Sequence, residues 1–141
     1  MDVIKLHPPF THFAVAMPLA LVVLDIYYRL KKKDLDSLHL LFSLLTSLSV
    51  IGATVSGMIA YEPIEDKLYQ IETFKVHKYL GLVMGIYFAL LMGVRLSASR
   101  GPLWRTLFSL MLLVGALFTF LQGSLGGSVV YDHMVKPWID R

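Results

Sequence analysis

Cysteine is missing from all 141 residues. Its absence removes disulfides, cysteine-ligated iron–sulfur clusters and thioether-attached haem, and leaves histidine as the main candidate ligand for any metal centre. Charge is scarce as well: 16% of residues are charged against 56% hydrophobic, a balance outside that of soluble domains. Soluble-enzyme signatures are also missing. No histidine pair has zinc-protease helix spacing, no glycine loop follows a strand, and no serine stands in a nucleophile elbow. Internal repeats and low-complexity segments are not visible. The net charge of +3 is modest, and its basic residues lie in short loops beside helices, so no nucleic-acid partner is expected.

What the chain does have is long apolar runs. Four windows reach the roughly 20 residues that cross about 30 Å of hydrocarbon. They predict one domain over 1–141, an all-α membrane protein folded as an up-down-up-down bundle of four transmembrane helices at about 10–30, 38–61, 77–96 and 104–131. The first window is too long for a signal-peptide core and lacks a basic lead and a small-residue cleavage site, so it is expected to stay as a mature helix. The segment between helices two and three, about 62–74, has Ile64, Leu68 and Ile71 at helical spacing with acids between, which predicts an amphipathic surface helix.

Alternation places both termini and that segment on one side of the bundle, face A. Face B receives "RLKKKDLDS" and "RLSASRGPLWR", which concentrate Arg29, Lys31, Lys32, Lys33, Arg95, Arg100 and Arg105 in two tight turns. The basic residues of face A are spread out and mixed with acids. The positive-inside rule then puts face B in the cytoplasm and face A, with the termini, in the periplasm of a bacterial inner membrane. Tyr27, Tyr28, Tyr79, Trp104 and Trp138 read as interfacial anchors, and Asp25 as an ion-pair partner of Arg29 one turn away.

Four of the five histidines fall on face A: His7 and His12 at the start of helix one, His77 before helix three and His133 after helix four. His39, on face B, is expected to meet lipid headgroups. At about 1.5 Å rise per residue, His12 lies 17 residues from Arg29 and His77 lies 18 from Arg95, so each is expected roughly 26 Å from the cytoplasmic anchors. Ala16 follows His12 by one turn, Gly81, Met84 and Gly85 lie below His77, and Gly126 and Gly127 precede His133. Small residues below the ligands leave a flat space, which a porphyrin needs and a bare ion does not. His12 and His77 on diagonal helices are therefore the expected axial pair of a haem b. His7 and His133 would form a second haem pair, complete a different pairing, or bond a quinone or a propionate. Lys78, with Lys75, would meet the propionates. One or two haems per chain follow. Each of these residues also has a bland reading as an interfacial or packing group.

The two ends of the chain, "HPPFTHFAVAMPLAL" and "LQGSLGGSVVYDH", resemble the bacterial predicted-membrane-protein family called domain of unknown function 2231. The resemblance runs through His7, Pro8, His12, Phe13, His77, Gly126, Gly127, Tyr131 and His133. Ala14 stands where family members often have proline, and "MVKPW" stands where they often have a glycine-rich stretch. The family name assigns no activity. Its occurrence beside or fused to redox modules implies a redox role by association.

The expected function is that of a b-type cytochrome-like carrier exchanging electrons with quinone, a periplasmic cytochrome or a redox-complex subunit. The alternative is a non-catalytic membrane subunit or assembly factor, whose histidines hold copper, zinc or iron or hold nothing. The small residues Ala53, Ser56, Gly57 and Ala60 of helix two would permit a homodimer.

Overall fold

The computed structural model describes residues 7–136. The helices are α1 (His7–Leu30), α2 (Ser37–Tyr61), a short α3 (Glu65–Leu68), α4 (Glu72–Ser97) and α5 (Pro102–Val130). Four of them are long and apolar enough to cross a membrane, and no strand is found among the described residues. Pro8 and Pro9 lie in the first turn of α1, where the missing N–H groups have no helical partner to lose. Asp36 caps α2: its carboxylate accepts from the His39 N–H at 3.0 Å and from the Tyr28 hydroxyl at 2.7 Å. Gly101, at φ +157°, turns the chain into the Pro102 start of α5. Between α2 and α4 the chain makes a 3-10 turn and then α3, which replace the single amphipathic helix expected there.

Around the bundle the order is α1, α2, α4, α5, with α5 closing back on α1, so α1 and α4 are diagonal to each other. Beneath this arrangement lies a repeat invisible in residue identities. The buried positions of α1 are Ala14, Pro18, Leu21, Asp25 and Tyr28; each, moved along by 70, lands on a buried residue: Met84, Phe88, Leu91, Arg95 and Ala98. In α2, His39, Ser43, Thr46, Ser47, Val50 and Ala60 map by 69 onto Phe108, Leu112, Gly115, Ala116, Thr119 and Val129. Two parallel hairpins, α1–α2 and α4–α5, are thus related by a half-turn about the bundle axis, an arrangement known among multi-pass membrane folds.

Close packing follows the repeat even where residues differ. A Cβ on Gly85 of α4 would stand 3.0–3.3 Å from the Thr54 side chain of α2. At the equivalent contact the sizes are exchanged, and Gly123 of α5 faces Val15 of α1 at 3.2 Å. One partner of each crossing must be glycine for the helices to approach. Outward, the helices present Val23, Leu90, Leu117 and Phe120, each more than 60% exposed, as an apolar exterior suited to lipid.

On face A a small cluster of Leu68, Phe74 and Val129 ties α3 to the ends of α4 and α5. Lys78 fastens it, donating at 2.8 Å to both Glu65 and the Tyr69 hydroxyl beneath the rings of Tyr61 and Tyr69. The Tyr69 hydroxyl, between the bilayer spans, is held below its ordinary pKa by that ammonium.

Candidate functional site

Face A gathers side chains from all four spanning helices. His7 of α1 rests on Gly57 of α2, and its Nδ1 lies 3.1 Å from the Ser56 hydroxyl. His77 of α4 rests on Gly126 of α5 in the same way. A Cβ on either glycine would stand 2.9 Å from the histidine Cε1, 3.4 Å from Nδ1 and 3.5 Å from Nε2, the same three distances at both sites. The hairpins therefore hold His7 and His77 as equivalents: His7 precedes Asp25 by 18 residues and His77 precedes Arg95 by 18.

This pairing differs from the one expected from depth. That expectation took Arg29 and Arg95 as anchors of equal height, but Arg95 is 5% exposed and is the equivalent of Asp25, one turn before Arg29. Correcting the reference by one turn makes His77 level with His7. His12 is exposed, and its Nδ1 donates to the Pro8 carbonyl at 2.6 Å. His133 is exposed in the π-type turn Tyr131–Val135 beyond α5.

The space expected under the histidines is occupied. Gln122 of α5, which has no motif of its own to mark it, crosses to α4. Its Nε2 donates to the His77 carbonyl at 2.7 Å and lies 3.0 Å from where a Gly81 Cβ would be. Thr54 fills the room beside Gly85 and donates to the Gly81 carbonyl at 2.9 Å. Ala16 is exposed on the outer side of α1. Gly127 has open space around its Cβ position. Two buried polar atoms at this end have no hydrogen-bond partner, His77 Nδ1 and Gln122 Oε1. Lys78 and Lys75 are engaged by Glu65 and Glu72. Among the described residues no three His, Asp or Glu side chains converge as a metal-ion site. Gly57 is turned inward onto α1, as is Gly52, which meets Phe10, so these residues serve packing within the chain.

Face B holds the second polar centre, and it corrects the headgroup expectation for His39. That side chain is fully buried, edge-on to Tyr28 and Phe108. Arg95 Nε donates to His39 Nδ1 at 3.0 Å, so the imidazole proton is on Nε2, which faces Asp25 at 3.3 Å. Asp25 also accepts from Arg29 at 3.2 Å, the expected ion pair, and from Ser109 of α5. Histidine lies here because its two nitrogens can bridge a guanidinium and a carboxylate that occupy equivalent places in the two hairpins.

Among known proteins, no curated sequence and no solved structure matches the chain. A family profile, described as "predicted membrane protein (DUF2231)", matches residues 3–137. With nearly the whole length covered and four membrane-spanning helices in place, the chain belongs to the DUF2231 family of predicted membrane proteins.

Proposed function

We propose that the protein is a membrane electron carrier that holds haem b between His7 and His77. The observation that carries this reading is the equivalence of the two histidines: same end, diagonal helices, and an identical seat on a glycine of the neighbouring helix. The donor set fits. Haem iron arrives with four porphyrin nitrogens and needs two protein ligands, whereas a bare zinc or copper ion needs three or four. Two imidazoles with no third ligand suit the former.

When bound, the haem supplies one-electron iron chemistry, and its potential answers to the ligands and burial around it. His7 and His77 would hold it through their ring nitrogens. Gly57 and Gly126 set the ring positions by leaving no room for a Cβ. Gln122 and Thr54 close the interior below, so the group would be bordered by them at the mouth of the bundle. One haem per chain follows, because His12 and His133 are exposed and not brought to the pair. By the positive-inside rule face A is periplasmic in a bacterial inner membrane. A site at that face would exchange electrons with a quinone held at the outer leaflet or with a periplasmic cytochrome or complex subunit. A single chain contains the whole pair.

The test is a reduced-minus-oxidised visible spectrum with a pyridine haemochrome assay on protein from haem-replete cells. One b-type haem per chain is expected. It should be lost in His7→Ala and His77→Ala and kept in His12→Ala and His133→Ala. Colourless wild-type protein, or loss in His12→Ala with retention in His7→Ala, overturns the reading. The occupied positions beside Gly81 and Gly85 favour a second reading, in which the pair holds copper, zinc or iron jointly with ligands of a partner subunit. Stoichiometric metal without a Soret band would decide for it.

A further inference from the structure

We propose that Ser56 is a positioning residue for His7: it fixes the Nδ1–H tautomer, leaves Nε2 as the ligating nitrogen, and makes the two histidines unequal ligands. The assignment of the iron-facing nitrogen rests on the haem reading. The tautomer itself does not.

The Ser56 hydroxyl has one proton, and it goes to the Ala53 carbonyl at 3.1 Å. The serine oxygen therefore accepts from His7 Nδ1 at 3.1 Å. An accepting Ser56 oxygen requires a proton on Nδ1, so the free lone pair is on Nε2. Gly57, the next residue of α2, presses on Cε1 and holds the ring in that orientation.

His77 has the same glycine seat and lacks the same hydrogen bond. The position equivalent to Ser56 is Leu125, 69 residues on, which has no acceptor. His77 Nδ1 is accordingly buried without a partner. A ligating imidazole that donates through its second nitrogen is more electron-rich, favours ferric iron and lowers the potential. Ser56 thus strengthens one ligand of the pair, and the missing acceptor at Leu125 leaves the other weaker.

The experiment uses the full chain with haem bound. Ser56→Ala should raise the midpoint potential and weaken haem retention about tenfold. Ser56→Thr, which keeps a hydroxyl, should restore both. Leu125→Ser should lower the potential by giving His77 the bond that His7 has. A Ser56→Ala protein with wild-type potential and retention, alongside a His7→Ala protein that loses haem, overturns the proposal and leaves the haem reading intact. Wild-type protein without haem sinks the haem reading instead, and imidazole nitrogen-15 spectra of that protein still test the tautomer. There His7 should give an Nδ1–H pattern that becomes mixed in Ser56→Ala; an Nε2–H pattern in the wild type overturns the assignment.

Discussion

The hairpin α1–α2 and the hairpin α4–α5 bury the same positions with different chemistry. Inward from α2 come His39, Ser43, Thr46, Ser47 and Ser56; the matching face of α5 offers Phe108, Leu112, Gly115, Ala116 and the half-buried Leu125. In water such a contrast would be costly, because burial is driven by removing apolar surface from solvent. In a bilayer the lipid is as apolar as the core, so shape and internal hydrogen bonding decide what faces inward. Ser43 and Ser56 meet that condition locally, donating to the His39 carbonyl at 2.7 Å and the Ala53 carbonyl at 3.1 Å, whereas the Ser47 hydroxyl is buried without a partner. The lesson is that the two hairpins share a packing geometry and not a composition.

The largest effect should come from breaking the layer that joins the hairpins at face B. Arg95→Leu leaves the buried His39 Nδ1 without its donor and Asp25 with Arg29 as its remaining cation, and is expected to cost about 3–5 kcal/mol in thermal or denaturant unfolding in detergent. The double change Asp25→Leu with Arg95→Leu should recover most of that loss. Wild-type stability in the single variant would show that the charged layer does not hold the hairpins together.

A smaller effect sharpens the exchange of sizes at the helix crossings. Gly85→Ala drives a methyl group against the Thr54 side chain and should cost about 1–3 kcal/mol, relieved by Thr54→Ala. Gly123→Ala meets only a Val15 methyl at 3.2 Å and should cost less. Equal costs would break the asymmetry.

The glycine seats should behave alike. Gly57→Ala and Gly126→Ala each push a histidine ring and, if the pair holds haem as proposed, should weaken its retention about tenfold, while Gly93→Ala, with open space around it, should change nothing. Unequal responses from the two seats would break the equivalence of His7 and His77. The smallest effect concerns the cap of α2. Hydrogen bonds from the His39 N–H and the Tyr28 hydroxyl hold the Asp36 carboxyl below its usual pKa. Its contribution is therefore present above about pH 4 and is lost as pH falls through the depressed value. Asp36→Asn should flatten that part of the stability-versus-pH curve; an unchanged curve would remove Asp36 from the account.

Much of the architecture was legible in advance. The apolar runs gave the four spans, the loop charges gave the two faces, and the histidines gave the end of interest. The starts of helices were less legible, because His7, Pro8 and Pro9 read as a lead-in although the prolines sit comfortably in a first turn. Depth read from the arginines is off by one turn because Arg95 is buried and not an interfacial anchor, and a partner on α2, 56 residues away, leaves no mark on an arginine's own sequence neighbourhood. His39 was misplaced for the same reason. Ser56 reads in the sequence only as one of the small packing residues of helix two, and Gln122 carries no reading of its own, since a serine or glutamine in an apolar run is significant only through what it touches.

The sequence settled how many helices there are, how long they are and which ends lie together, because hydrophobic length and chain alternation in a bilayer leave little choice. Which histidines occupy equivalent seats was settled only by the folded bundle. The rotation of each helix is fixed by glycines meeting side chains from other helices, Gly57 with His7 and Gly126 with His77, across 50 and 49 residues of chain. Periodicity within one helix cannot supply that phase, because lipid and protein interior are equally apolar and no solvent-facing stripe marks the inward side.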